Sequence, residues 1–169
     1  MTFDSLDELF VHKLRQQYYV ETQLVETLDE MAINASNDRV SEGFADHRDE
    51  TREQVTRLEE CFDAIDVPPA PTEDAVFDGL EAERQKMEEE LTDDEMLNMS
   101  YVTAGMMTER VEMTAYEGLL LIAKKLDYDD PVTNSLQANH DEEQSAYREL
   151  DAMTTDSEMK TLWDRITPS

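Results

Sequence analysis

Basic residues are scarce in this chain. It has 14 Lys and Arg against 42 Asp and Glu, a formal net charge of −28 over 169 residues. A nucleic-acid phosphate backbone requires a basic surface, so this composition argues against nucleic-acid binding. The chain also has a single cysteine, Cys61, and cannot form an internal disulfide, which agrees with a reducing cytoplasm.

Long apolar runs are absent as well. No stretch approaches the ~20 apolar residues that a membrane-spanning helix needs, and the acidic segment MTFDSLDELF lacks the basic region that opens a secretory signal. We therefore expect a cytoplasmic protein with no membrane contact. Gly and Pro are few (4 and 5), and apolar residues form 39% of the chain at regular helical spacing, which argues against global disorder.

The acidic residues are spread along the whole chain rather than gathered in a tail. Only 5 of the 14 basic residues are Lys. A dispersed carboxylate surface with little Lys is typical of cytoplasmic proteins adapted to high salt, where screening removes the self-repulsion that opposes compaction. We favour this halophilic interpretation. An ordinary acidic cytosolic protein is the alternative.

Apolar residues recur at spacings of three and four, which predicts four long helices and no strand. The first helix opens at Ser5-x-x-Glu8 and ends near 35–37, and the second runs from about 38 to the Pro-rich segment 67–71. The third helix spans about 94–127, and the fourth begins at Asp130-Pro131. Residues from about 67 to 94 form a crossover with a short helix inside it, long enough to follow the whole bundle. Another short helix is expected at about 156–166. The prediction is an all-α four-helix bundle in one domain, residues 1–169.

Each long helix carries a glutamate on or beside its apolar stripe: Glu21, Glu50, Glu112 and Glu143. Histidines precede two of them by three residues on the same face, in His47-x-x-Glu50 and His140-x-x-Glu143, and Glu109 lies one turn before Glu112. A buried carboxylate costs several kcal/mol unless it is paired or bound to metal. Di-iron and di-manganese carboxylate bundles solve this problem with two cations, and Glu with imidazole suits Fe or Mn.

Each of these residues also has a simpler interpretation. A single Glu in a helical stripe is more often a boundary residue or the partner of an arginine. The available arginines are Arg15, Arg52 and Arg110. His47 alone would be a hydrogen-bonded core histidine, and Gln17 and Gln54 could hydrogen-bond each other. The residues by themselves leave a metal site and a metal-free polar core about equally open.

Several segments resemble the YciE/YciF family of ferritin-like proteins. They are Leu9 to Leu24, His47 to Glu59, Arg110-Val111-Glu112, and Leu136-Gln137 with Asp141-Glu142-Glu143. The likeness covers about residues 5–152 in register and includes the short helix of the crossover. It implies a ferritin-like bundle, commonly a homodimer, that is associated in bacteria with stress responses; this chain resembles an acidic member of the haloarchaeal type.

The resemblance also implies a dinuclear Fe or Mn site. Carried over by position, its residues are Glu21, His47, Glu50, Glu112 and Glu143. Two positions depart from the family pattern, since a second carboxylate is replaced by Ala115 and a usual Leu by His140. We therefore expect a rearranged site that includes His140, with Glu109 and Glu142 in reserve. A decayed site that binds no metal is the alternative.

Two classes of function remain open on these grounds. A di-metal protein would oxidise Fe(II), remove peroxide or dismutate it as manganese catalases do, because two bridged metals cycle through two electrons. A non-enzymatic stress protein would be a helical dimer with a hydrogen-bonded polar core. An acidic decoy for a basic partner rests on net charge alone and ranks last. The candidate surfaces for a dimer are the exposed side of the first two helices and the amphipathic tail around Trp163, and the sequence does not choose between them.

Overall fold

The computed structural model describes residues 2–155, and the regular structure in that range is entirely helical. Five helices follow one another: α1 (Leu6–Asn34), α2 (Asp38–Ala64), α3 (Ala75–Glu90), α4 (Asp94–Lys125) and α5 (Asp130–Thr155). The predicted all-α class and the four long helices are confirmed. The helix expected at 156–166 lies outside the described residues. None of the described helices is both long enough and apolar enough to span a membrane.

Side chains at the helix starts explain where the helices begin. Ser5 accepts a hydrogen bond from the Glu8 backbone N–H at the start of α1, and Asn37, Asp74 and Asp93 cap α2, α3 and α4 in the same way. These caps satisfy N–H groups that the first turn of a helix leaves without a partner. The Pro-rich segment after α2 prevents that helix from continuing.

Short loops pair α1 with α2 and α4 with α5, and these two pairs pack most extensively. Contacts of α2 with α5 and of α1 with α4 close the four-helix bundle. The crossover helix α3 has 16 residues and packs on the outside of the bundle against α4. The crossover is thus long enough to follow the bundle, as the sequence predicts, and it lets α4 enter beside α1.

The apolar core is divided into two clusters. One includes Leu24, Phe44 and Tyr101, and the other includes Leu14 and Leu58. A layer of buried polar side chains separates the clusters at mid-height of the bundle. Its members are Gln17, Glu21, His47, Thr51, Gln54, Glu109, Glu112, Asn139 and Glu143. Every long helix contributes to this layer. Of the four glutamates predicted within the apolar stripes, Glu21, Glu112 and Glu143 are buried in the layer and Glu50 is not.

The stripes that the sequence predicts on the last two long helices are buried in part. On α4 the spacing predicts Tyr101, Ala104, Thr108, Glu112, Ala115 and Leu119; Tyr101, Glu112 and Leu119 are buried, and Gly105, Glu109 and Tyr116 are buried beside them. On α5 the predicted Val132, Leu136, Glu143, Leu150 and Met153 are buried, but Asn139 and Ala146 are buried where the spacing predicts His140 and Tyr147. Neighbouring residues project about 100° apart around a helix, so these local differences change which polar side chains enter the core.

Candidate metal centre

Four carboxylates and one imidazole meet in the polar layer. Glu21 comes from α1, His47 from α2, Glu109 and Glu112 from α4, and Glu143 from α5, and all five side chains are buried. Glu109 and Glu112 are three residues apart, so both lie on the inward face of α4. Within residues 2–155, no Lys or Arg makes an ion pair with any of these carboxylates; the cationic partner that approaches them is His47.

His47, Glu109 and Glu143 form the first group of facing donor atoms. His47 Nε2 lies 3.1 Å from Glu109 Oε1 and 3.8 Å from Glu143 Oε2. Neither contact has the geometry of a hydrogen bond, and Nδ1 has no hydrogen-bond partner either. One donor atom from each residue lies within 4.8 Å of the other two, a spacing that suits three ligands around one cation.

Glu21, Glu112 and Glu143 form the second group, with donor atoms again within 4.8 Å of one another. Gln17 Nε2 donates to Glu21 Oε1 at 3.2 Å and to Glu112 Oε1 at 3.0 Å, which holds the two carboxylates side by side. Glu143 belongs to both groups. Its carboxylate is therefore the one that both groups have in common.

Many polar atoms of this layer have no hydrogen-bond partner. They are Glu21 Oε2, both nitrogens of His47, both amide atoms of Gln54, Glu109 Oε2, Glu112 Oε2 and both oxygens of Glu143. Buried polar atoms in folded proteins are almost always satisfied, and leaving a charged one unpaired is expensive. The carboxylate and imidazole atoms are hard-to-borderline donors that face one another, so this layer fits a pair of divalent cations chemically.

A hydrogen-bonded chain supports the second group from outside. Tyr116 OH donates to Glu21 Oε1, and Asn139 Nδ2 donates to Tyr116 OH at 2.8 Å. Asn139 Oδ1 in turn accepts from Arg57, whose guanidinium forms two hydrogen bonds with Glu142 at 2.6 and 2.9 Å. Such outer contacts fix the orientation of ligand side chains. They connect Glu21 to an ion pair between α2 and α5.

Burial dominates the protonation of the second group. It raises the pKa of Glu21 to about 7, although hydrogen bonds from Tyr116 and Gln17 oppose the shift. Burial and the neighbouring carboxylates together raise the pKa of Glu112 and of Glu143 well above the usual range. Without a metal these side chains therefore retain protons, and a bound cation would take the place of those protons.

The first group behaves as an ion pair. Burial alone would lower the pKa of His47, but its interactions with Glu109, Glu50 and Glu143 together outweigh burial, and the pKa rises well above its ordinary value. Burial would likewise raise the pKa of Glu109, but its interactions with His47 and Glu143 together outweigh burial and lower the pKa. A cation bound here would displace the imidazolium proton, because a metal ligand must be neutral imidazole.

Two of the seven predicted ligands are not brought into the groups. The Glu50 side chain is 55% exposed, and its Oε2 lies 3.7 Å from His47 Nδ1, on the side of the ring away from Glu109. His140 is turned to the flank of α5, where Nε2 lies 3.7 Å from Glu117 and Nδ1 lies 3.4 Å from Asp141. Between the buried Leu136 and Glu143, the side chain that α5 turns into the core is Asn139 rather than His140.

The simpler interpretations of the polar residues can be compared with the same structure. Arg52 pairs with Asp49, and Arg110 donates to Tyr147, so neither neutralises a core carboxylate. The predicted hydrogen bond between Gln17 and Gln54 is absent among the described contacts: Gln17 donates to the carboxylates instead. Glu142, the reserve candidate, pairs with Arg57.

From the sequence, Tyr116 is one of four tyrosines that could hydrogen-bond near the site, with core packing favoured for each, whereas Asn139 was missed. Ala115 is half-buried, and the next residue, Tyr116, provides the polar group that contacts Glu21. The signal was present in the spacing, because Glu109, Glu112, Tyr116 and Leu119 follow one another at three and four residues. That stripe would also have placed Glu109 beside Glu112 as a principal residue.

The family described as "Domain of unknown function (DUF892)" matches residues 5–162. The chain belongs to this family. The DUF892 chain is similar to Protein YciF of Escherichia coli (strain K12), with 25% identity over 129 residues that cover 76% of this chain and 78% of YciF. The predicted relationship to YciF is thereby confirmed.

Two solved structures resemble this DUF892 chain. The crystal structure of the E. coli stress protein YciF has a TM-score of 0.85 and 23% identity, covering 90% of this chain and 96% of that one. YcfI from Rhodopseudomonas palustris has a TM-score of 0.84 and 30% identity, covering 89% and 98%; its description proposes that it is a structural protein. These likenesses confirm the predicted bundle with its crossover.

Proposed function

We propose that this protein binds two divalent cations, Fe or Mn, in the polar layer, and that it acts on iron or peroxide as part of a stress response. One observation carries the proposal. Two groups of three buried donor residues share Glu143, and each of the five residues has at least one buried polar atom without a hydrogen-bond partner. The likeness to a stress protein supports the cellular context.

Charge supports two cations rather than one. Glu21, Glu109, Glu112 and Glu143 carry up to four negative charges inside the bundle, and two divalent ions would neutralise them. A single cation would leave an uncompensated charge in a medium where burial of a charge costs several kcal/mol. Oxygen donors with one imidazole favour Fe or Mn over metals that prefer thiolate, and the one cysteine, Cys61, lies in an apolar cluster.

Each residue of the layer has a defined part in this proposal. His47 and Glu109 would hold one cation, Glu21 and Glu112 the other, and Glu143 would contact both. Bound together, the two ions would supply two-electron redox chemistry. The chain itself orients the ligands through Gln17 and Tyr116 and excludes bulk water from them.

In this proposal Glu50 orients His47 and does not itself bind a cation. Its carboxylate lies 3.7 Å from His47 Nδ1, and metal-bound histidines commonly donate the other ring N–H to a carboxylate. We place Glu50 outside the ligand set for this reason. His140 has no part in the layer, because it contacts Glu117 and Asp141 on the flank of the bundle.

The second candidate function is a metal-free structural protein. The description of YcfI as a proposed structural protein favours it, as do the hydrogen bonds that Gln17 and Tyr116 already make with Glu21. In that case the carboxylates would keep their protons and the layer would serve only to fix how the helices align. Metal content separates the two functions.

The experiment is a measurement of bound Fe and Mn by mass spectrometry after expression in medium that contains both. The wild-type protein should carry about two ions per chain. Glu143→Gln should lose at least one of them, because both groups contain Glu143. The matched control is Glu149→Gln, which removes one exposed carboxylate from the same helix and should retain two. A wild-type chain without stoichiometric metal, or a Glu143→Gln variant with two ions, would refute the proposal.

A further inference from the structure

Cavities between the helices reach the buried polar layer from the surface. A groove between α1 and α4, of about 330 Å³, is lined by Gln17. A cavity under α3 is lined by Glu109, and a cavity between α2 and α5 is lined by His47. His47 is the most exposed member of the layer, at 7%, whereas Glu143 is fully buried. These cavities are the candidate routes by which a cation reaches the ligands.

A positive side chain lines each of the first two cavities. In the groove between α1 and α4, Lys13 offsets the charge of Asp74. The layer residue there is Gln17, whose amide N–H groups are donors and not metal ligands. In the cavity under α3, the buried guanidinium of Arg84 is already paired with the carboxylate of Glu81. Positive charge at these places opposes the entry of a divalent cation.

The cavity between α2 and α5 has the opposite charge. Within residues 2–155, no Lys or Arg lines it, and the exposed Glu149 does. Glu50 adds a second exposed carboxylate beside it, 3.7 Å from Nδ1 of His47. The ring nitrogens of His47 have no hydrogen-bond partner, and Nε2 faces Glu109 and Glu143. The cavity therefore connects exposed carboxylates with a buried ligand atom, and a cleft of one charge sign attracts the opposite ion.

Met153 narrows this cavity by packing over bare backbone. A Cβ placed at Gly43 would lie 2.8 Å from the Met153 Cε atom, so the methionine methyl occupies the space that only glycine leaves free. The remaining volume of about 20 Å³ holds about one water molecule. Methionine is unbranched and has three rotatable side-chain bonds. Met153 can thus move aside and widen the cavity while α2 and α5 stay packed.

We infer that divalent cations enter the polar layer between α2 and α5, past Glu149 and Met153, and that His47 is the first ligand they meet. This inference rests on the proposed function, because it concerns the route to the same cation pair. His47 then receives the cation from the cavity and holds it beside Glu109. Entry and exit follow the same path, so the width of the cavity changes the rates of loading and release by the same factor and leaves the affinity unchanged.

The rate at which metal-free protein binds Mn(II) tests the route. Electron paramagnetic resonance follows the signal of the free ion as it disappears, and EDTA added to loaded protein gives the rate of release. Met153→Ala should load and release Mn(II) about tenfold faster and still bind two ions. Met31→Ala is the matched control, because Met31 belongs to the same apolar cluster but lines the cavity under α3. It should leave both rates unchanged.

A variant that fills the cavity should have the opposite effect. Ala146 lines the cavity between α2 and α5, and Ala146→Leu should slow loading and release about tenfold. Ala115→Leu makes the same change in the groove between α1 and α4 and should slow neither. Circular dichroism checks that each variant remains folded.

Glu149→Gln provides a test that leaves the packing of the core unchanged. In about 0.1 M KCl it should slow loading about threefold, because one attracting charge is lost at the entrance. In about 1 M KCl, where the Debye length is ~3 Å, the difference should disappear. The variant should still reach two ions per chain, since Glu149 is not a ligand. Glu89→Gln, which removes an exposed carboxylate from α3, should load at the wild-type rate in both salts.

The outcomes separate the route from the cation pair itself. A wild-type protein that takes up no Mn(II) would refute the pair. A wild-type protein that binds two ions would leave the pair intact, and the route alone would be overturned by either of two results. One is a Met153→Ala protein that loads no faster than Met31→Ala. The other is a Glu149→Gln protein that loads as fast as Glu89→Gln in about 0.1 M KCl.

Discussion

Gln17 occupies a position of the α1 stripe where a leucine would pack, and its amide nitrogen joins the carboxylates of Glu21 and Glu112. The sequence alone predicts that Gln17 and Glu21 face inward, because both fall at helical spacing within an apolar stripe. It does not predict that the amide contacts Glu112. That contact depends on how α1 and α4 align, and the two residues are 95 positions apart in the sequence.

The pKa of Glu112 leads to a prediction for the metal-free protein. In the folded chain burial raises this pKa well above the ordinary value of 4.5. As pH rises above about 4.5, the unfolded chain releases a proton that the folded chain keeps, so the free energy of unfolding falls with pH until the folded-state pKa is passed. Glu112→Gln cannot titrate there. Urea unfolding in EDTA at about pH 5 and pH 8 should show that this variant loses less free energy of unfolding between the two pH values than the wild type does.

Glu89→Gln is the control for this pH effect, because Glu89 is exposed on α3. It should lose as much stability between the two pH values as the wild type does. Equal losses for all three proteins would show that surface charge alone sets the pH dependence. With metal bound, the wild-type protein should instead gain stability as pH rises, since the ligands must be deprotonated.

The helices illustrate which part of the architecture local sequence determines. Caps such as Asn37 and Asp93, together with the periodic apolar positions, predict the long helices to within a few residues. The buried face of α4 is predicted only in part, since Tyr101, Glu112 and Leu119 are buried as the spacing predicts but Glu109 and Tyr116 are buried as well. Apolar residues occur on several of its faces, including the exposed Met107 and Leu121, so composition does not single out the buried face.

The crossover helix α3 is held against the bundle by the buried side chain of Arg84. The Arg84 guanidinium donates to Glu81 and Glu88 on α3 and to Glu30 on α1, at 2.5 to 2.8 Å. Tyr101 on α4 donates to Glu88 as well. One ion-pair network therefore connects α3 to both of the helices that it covers.

Arg84→Met should loosen α3 without unfolding the bundle. It leaves three carboxylates without their partner, and we expect a loss of about 1–3 kcal/mol, because the partners are partly exposed to water. Hydrogen exchange should become faster in α3 and stay slow in α1 and α2. Arg52→Met, which removes an exposed pair with Asp49, should change little. Equal acceleration in all helices would contradict a local role for Arg84.

For the molecule as a whole, the 42 acidic residues divide into two populations. Most are exposed, but Glu21, Glu109, Glu112 and Glu143 are buried in one layer. Net charge alone indicated only the first population. The second was visible from the sequence as glutamates within apolar stripes, but spacing alone did not show that His47 joins them while His140 lies beside Glu117.

The exposed population predicts a strong response to salt. Self-repulsion at −28 opposes compaction, and salt screens it. The melting temperature should rise steeply between about 0.01 and 1 M KCl, as the Debye length falls from ~30 to ~3 Å, and more slowly above that. A melting temperature that is flat over this range would contradict an adaptation of the surface to high salt.

Anomalous scattering at the Fe and Mn edges, from crystals of protein grown in medium that contains both metals, tests the central proposal most directly. Two peaks about 3.5–4 Å apart, one near His47 and Glu109 and one near Glu21 and Glu112, are predicted for two metals that share Glu143. A polar layer with no anomalous peak at either edge would contradict the proposal and would leave the layer as hydrogen-bonded structure.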